Sequence, residues 1–141
     1  RVLNLHLGLS PYYRGSGTNF FPLVDNLPEC VGATIHLAVK KIDAGGVLAQ
    51  CRPDIDIEDT VHDIGNKSII KATEIFSNII FEYQLGNLIP KNINLSNGKL
   101  MFRKDFNVQM IKNLNQNFKN GMIKKYLQNK TNRDLECPII N

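Results

Sequence analysis

A chain of 141 residues, 43% hydrophobic and 21% charged, has the make-up of one ordinary globular domain with a modest core. Its net charge of +4 leaves room for anionic partners, whereas no apolar run approaches the roughly 20 residues of a membrane helix and no secretory leader is recognisable. The cysteines, at 30, 51 and 137, are odd in number, scattered and without CxxC spacing. That pattern argues against a disulfide framework or a zinc site and for a reducing compartment, the cytoplasm, with all three as packing residues.

Val2 to His6 reads as a strand leaving the core, and alternation along it puts Asn4 and His6 on one face. Gly8, Ser10 and Pro11 then stop the strand and turn the chain. An amide and an imidazole side by side at a strand end, with a carboxylate arriving from a second loop, make an acyl-transfer constellation. The imidazole moves protons, the amide steadies an oxyanion, and the acid fixes and charges the imidazole.

Residues 11–18 read as a mobile loop, because Gly15 and Gly17 oppose regular structure. Asn19 to Val24 starts a short helix broken near Pro22, and 25–28 is a turn. Val31 to Val39 alternates, with Ala33, Ile35 and Leu37 on one face and Thr34 and His36 on the other, as a half-buried strand requires. A loop over 40–46 and a second strand over 47–52 complete a β-loop-β unit with Asp43 at its tip, and Pro53 ends the pairing.

Asp59 to Asp63 opens a helix, with Thr60 as its cap and Asp63 completing a capping box. The apolar stripe from Val61 through Ile64, Ile69, Ala72 and Ile75 to Tyr83 reads as core, and Gly86 stops the helix. Beyond Leu88 the pattern predicts a hairpin turning at Asn97-Gly98 over 93–102. An amphipathic helix follows, with Val108, Ile111, Leu114 and Phe118 on one side and a break at Gly121, and 131–141 reads as frayed. From Arg103 to Lys130 the only acid is Asp105 among seven Lys and Arg. With no Arg cluster, this reads as a solvated helix face rather than a nucleic-acid surface.

Five blocks occur in order: Asn4-Leu5-His6, the Leu9-Ser10-Pro11 turn, Tyr13-Arg14-Gly15, Gly32-Ala33-Thr34-Ile35-His36 and Ile42-Asp43-Ala44-Gly45. The set resembles the signature of the folate-dependent formyltransferases over roughly Val2 to Leu88. The turn Leu7-Gly8-Leu9-Ser10-Pro11 departs from that family's usual Ser-Leu-Leu-Pro. The resemblance implies an α/β fold: the second half of a Rossmann-like formyltransferase domain, a twisted β-sheet with flanking helices, over 1–88. A C-terminal β-hairpin and basic amphipathic helix over 89–141 would be an accessory element. The chain opens Arg1-Val2-Leu3 inside a strand, so the nucleotide-fold half that the family places first is expected as a partner, on this chain or another.

The activity implied is transfer of a formyl group from 10-formyltetrahydrofolate to the primary amine of a small molecule, a sugar nucleotide ahead of others. A formyltetrahydrofolate hydrolase and a non-catalytic binding module are the alternatives. By the same resemblance, Asn4 donates to the formyl oxygen, and His6 stabilises the oxyanion and transfers protons. Asp43 raises the His6 pKa and relays the amine proton through water. Ile42, Ala44, Gly45 and Gly46 present backbone to the flat pterin. Ser10 and Arg14 belong to the substrate loop, where Arg14 either meets an anionic substrate or caps the loop, and His36 stands behind the acid. No metal, membrane or nucleic acid is expected, and a homo-oligomer is allowed.

Overall fold

Three antiparallel strands hold the site in the computed structural model, which describes residues 2–140. Strand β3 (Ala33–Leu37) lies between β1 (Leu3–His6) and β4 (Val47–Cys51). The register places Asn4 opposite His36 and His6 opposite Thr34, and a bulge between Ile35 and His36 shifts the pairing with β4. A bulge re-aims side chains at the end of a ladder. Here it lies beside the loop that carries Asp43.

Helix α2 (Val61–Gln84) covers one face of this sheet, where Ala72 packs with Ala33 and Cys51. The other face is covered by the chain after β1, so Thr34 and His36 are buried instead of half-exposed. The Thr34 hydroxyl donates to the Gly8 carbonyl at 2.7 Å and accepts from the Ser10 N–H at 3.0 Å. Gln50 Nε2 adds bonds to the Ser10 carbonyl at 2.5 Å and to Thr34 Oγ1 at 2.9 Å. Buried polar groups are thereby paired one by one, as a dry strand face demands.

The larger core joins both parts of the chain. Leu23, Val31, Ile55 and Ile64 pack with Leu114, Met122, Ile123 and Tyr126. The last four belong to α3 (Val108–Lys119) and α4 (Met122–Gln128). Helix α2 starts as its capping box prescribes: Thr60 Oγ1 accepts from the Asp63 N–H, and Asp63 Oδ2 accepts from the Thr60 N–H. The molecule is α/β, as the sequence implies, and none of its described helices is long and apolar enough to cross a membrane.

Several local expectations give way to long-range pairing. The segment expected to be a mobile loop contains β2 (Tyr13–Gly15), which pairs in parallel with β5 (Lys99–Met101). No hairpin forms over 93–102, because neither Asn97 nor Gly98 takes the positive φ that its tight turn requires. Gly98 serves close approach instead, since a Cβ there would fall 1.7 Å from the Pro11 carbonyl oxygen. Pro22 does not break a helix but stands in the first turn of α1 (Phe21–Val24), where its missing N–H costs nothing. Ile69 leaves the expected core stripe and is 45% exposed.

The C-terminal stretch expected to fray is tied down among its described residues. It forms α5 (Lys130–Glu136), and Arg133 reaches buried Glu29 at 2.7 Å. Ile140 exchanges backbone and side-chain bonds with Gln50. The cysteines are free and buried, but two are not scattered: Cys30 Sγ and Cys137 Sγ lie 2.6 Å apart.

Candidate active site

The end of β1 and the loop between β3 and β4 bring Asn4, His6 and Asp43 together. His6 Nδ1 is 3.3 Å from Asp43 Oδ2, and Asn4 Nδ2 donates to Asp43 Oδ1 at 3.4 Å. Strand alternation supplies the first two side chains and the crossing loop supplies the third. Gly8 makes room for the imidazole, because a Cβ there would sit 2.5 Å from His6 Nε2.

Asp43 is held from several directions. Its backbone takes φ +44°, a left-handed conformation that Asp tolerates better than most residues. Its Oδ2 accepts the Gly15 N–H at 2.8 Å, and its carbonyl accepts the Ser10 hydroxyl at 3.3 Å. Arg14, itself buried, donates from Nη1 to the neighbouring Ile42 carbonyl at 3.2 Å. Ser10 and Arg14 therefore act on the Asp43 loop from inside the protein. Of the two roles open to Arg14, the bond to Ile42 matches loop support.

His36 stands behind the trio. Its Nδ1 lies 2.8 Å from the Leu37 carbonyl, which only an N–H can satisfy. In the neutral ring this leaves Nε2 as the acceptor for Asn4 Nδ2, 3.1 Å away. Asp43 Oδ1 is 3.5 Å from the same nitrogen.

Two opposing influences set the charges. Burial lowers the His6 pKa below its ordinary 6.5, and the Tyr13 carbonyl and Asp43 only partly restore it. Asp43 does raise the His6 pKa, as expected, but desolvation of the ring is the larger influence and leaves the pKa lowered. Burial also opposes ionisation of Asp43, but His36, the Gly15 N–H and the His6 ring together outweigh it and hold the carboxyl below its ordinary 3.8. The pair at neutral pH is a neutral imidazole beside a carboxylate.

The trio opens into a cavity of about 950 Å³, in the range of small-molecule sites. Asn4, His6 and Asp43 line it, whereas Ile42, Ala44, Gly45 and Gly46 do not. Gly45 packs against the Leu37 carbonyl and Gly46 against Pro90, where Cβ atoms would approach to 1.7 Å and 2.7 Å. Sequence reasoning missed the far wall, built by Phe20, His62, Gly65, Asn66, Phe106 and Asn115. One signal was present: Gly65 interrupts an otherwise good helix, and a Cβ there would meet nothing within 4 Å.

Comparison with known proteins supplies the family. Residues 1–80 match the model of the formyl transferase family. Methionyl-tRNA formyltransferase of Streptococcus sanguinis is 30% identical over 90 residues, which are 64% of this chain and 29% of that protein. A 4-N formyltransferase from Francisella tularensis shares 29% identity and superposes with a TM-score of 0.65 over 74% of this chain and 42% of its own. An N-formyltransferase from Helicobacter canadensis, solved with folinic acid and dTDP-3-aminofucose, shares 26% identity and a TM-score of 0.67 over 75% of this chain and 39% of its own. The chain therefore spans less than half the length of each of these relatives. With residues 1–80 matched out of 141, it belongs to the formyl transferase family.

Proposed function

We propose that this chain carries the reaction centre of an N-formyltransferase, moving a formyl group from 10-formyltetrahydrofolate to the primary amine of a nucleotide-linked amino sugar. The observation that carries the reading is the convergence of Asn4, His6 and Asp43 at the mouth of one cavity. The amide, imidazole and carboxylate suit a carbonyl donor that develops negative charge and an amine that must lose a proton. Support for the folate and sugar-nucleotide classes comes from relatives of this fold solved with folinic acid and dTDP-3-aminofucose, or with dTDP and 5-N-formyl-THF.

The donor supplies an activated formyl carbon. In the transfer, a bond from acceptor nitrogen to that carbon forms, the bond to the folate nitrogen breaks, and one proton passes from acceptor to folate nitrogen. Neutral His6 can take a proton, and in doing so it becomes able to donate to both acceptors that flank it, Asp43 Oδ2 and the Tyr13 carbonyl. Asp43 stabilises the imidazolium so formed. Asn4, held by His36, offers its amide to the developing oxyanion by giving up its longer 3.4 Å bond to Asp43 Oδ1. The backbone of Ile42, Ala44, Gly45 and Gly46 is assigned to the pterin on the side of Asp43 away from this cavity, which those four residues do not line.

The test is turnover by the full-length enzyme supplied with 10-formyltetrahydrofolate and a panel of amino-sugar nucleotides, followed by release of tetrahydrofolate. Turnover that requires the amine supports the reading. Turnover with water alone assigns a hydrolase, and absence of both turnover and folate binding reduces the chain to a binding module.

A further inference from the structure

The wall of the cavity opposite the trio includes residues outside the family match, Phe106, Ile111 and Asn115 among them, and it has its own chemistry. Phe106 is 51% exposed, with its ring centroid 5.1 Å from Phe20, which in turn meets buried Phe21 edge-on at 5.4 Å. Helix α3 behind it is fixed in place, since Asn117 Nδ2 donates to the Leu23 and Val24 carbonyls at 2.9 and 2.8 Å. The exposed ring is thus a braced aromatic surface inside a ligand-sized cavity.

Apart from Asp43 in the trio, what lines the cavity around it is apolar or neutral. Ile69 and Ile111, 45% and 39% exposed, line the same space, and Asn66 and Asn115 bring amides. No lysine or arginine among the described residues lines the cavity. Cations stand beside it instead: Arg103 and Lys104 in the turn leading to Phe106, and Lys112 on α3 next to Ile111, all exposed. An uncharged planar ring inside and phosphates outside is the complement of this layout. A phosphate buried within would have no cation to meet.

Resting on the N-formyltransferase reading, we propose that segment 103–115 is the acceptor's nucleotide subsite, with Phe106 stacking the nucleobase, Asn66 and Asn115 facing its edge, and Arg103, Lys104 and Lys112 drawing in the diphosphate. The basic segment is then a steering field beside the cavity, and α3 sets which acceptors the reaction centre sees.

The sequence contains no tryptophan, so Phe106→Trp places a single indole at the subsite. Its emission falls saturably with UDP or dTDP and does not change with ribose 5-phosphate, which lacks the base. In equilibrium dialysis Phe106→Ala binds the same nucleotide about 5- to 150-fold more weakly than the parent protein, the range expected for one base–aromatic stack. Quenching by ribose 5-phosphate equal to that by UDP, no quenching at all, or unchanged binding by Phe106→Ala each overturns the subsite. If Phe106→Ala fails to fold, the indole titration alone decides. Base-dependent binding without formyl transfer to any sugar nucleotide would overturn the proposed reaction and leave the subsite standing. Transfer with an unchanged acceptor KM in Phe106→Ala would do the reverse.

Discussion

His6 Nδ1 lies 3.3 Å from Asp43 Oδ2, and the imidazole that makes this contact is only 6% exposed. Its other nitrogen faces the Tyr13 carbonyl at 3.1 Å. Two acceptors flank a ring that burial keeps neutral and that therefore has one N–H to share. Proton uptake completes both hydrogen bonds. The site is thus arranged so that the base improves its own contacts at the moment it acts.

Asp43→Asn tests that arrangement with little change of shape, because Asn also tolerates the left-handed backbone at this position. Losing the carboxylate removes the stabilisation of the imidazolium, and formyl transfer falls by about 10²–10³, the scale for one electrostatic contact at an oxyanion site. Asp43 raises the His6 pKa, so its loss lowers that pKa further, and the acid limb of kcat/KM moves to lower pH. Steady-state rates across pH check both changes. An acid limb displaced upward would remove Asp43 as the partner of His6.

Stability should fall on the acid side for the same two groups. Above its ordinary 6.5, His6 is neutral whether the chain is folded or not; below it, the unfolded chain takes up the proton first, and folding is penalised. Asp43 contributes stability that is present above its ordinary 3.8 and is lost as pH falls through its lower folded value. The urea midpoint of the parent protein therefore declines in two steps. In His6→Gln the first step, between about pH 7 and pH 5, is diminished and the second remains.

The thiols provide a test of packing. Cys30, Cys51 and Cys137 are free and buried, and the first and last meet across a core that includes Tyr13 and Phe21. A thiol-titrating disulfide reagent should find all three blocked in native protein and all three reactive in urea. Fast reaction of Cys137 in the native state would show the C-terminal segment to be loose.

The parts of this molecule that were legible in the sequence are those fixed by neighbours. Asn4 and His6 share a face because they are two residues apart on one strand, and Thr60 caps α2 through Asp63, three residues on. What could not be read depends on distant partners. Strand β2 exists only because Lys99–Met101 arrives beside it, and Cys30 meets Cys137 across 107 positions. The Asn97-Gly98 pair carries the right residues for a hairpin, yet the chain uses Gly98 to pass Pro11. The His6 charge was misjudged for a related reason: the carboxylate was visible in the motif, whereas the depth of burial was not.

Gln50 is where these distant pieces are joined, and its loss should be felt widely. Its Nε2 holds the Ser10 carbonyl and Thr34 Oγ1, and its Oε1 accepts the Ile140 N–H at 3.0 Å, with the side chain itself buried. Ser10 in turn bonds the Asp43 carbonyl. Gln50→Leu keeps the volume but leaves buried groups unpaired, at about 1–3 kcal/mol for each group left unsatisfied. Gln50→Glu, with its carboxyl protonated, instead retains the acceptor for Ile140 and keeps one O–H donor in place of the two amide N–H groups. Urea denaturation should therefore rank the parent first, Gln50→Glu second and Gln50→Leu last, provided the pH keeps the new carboxyl protonated. The Ile140 amide should lose hydrogen-exchange protection only in Gln50→Leu. Equal protection in both variants would mean that the C-terminal segment is held by α5 and not by β4.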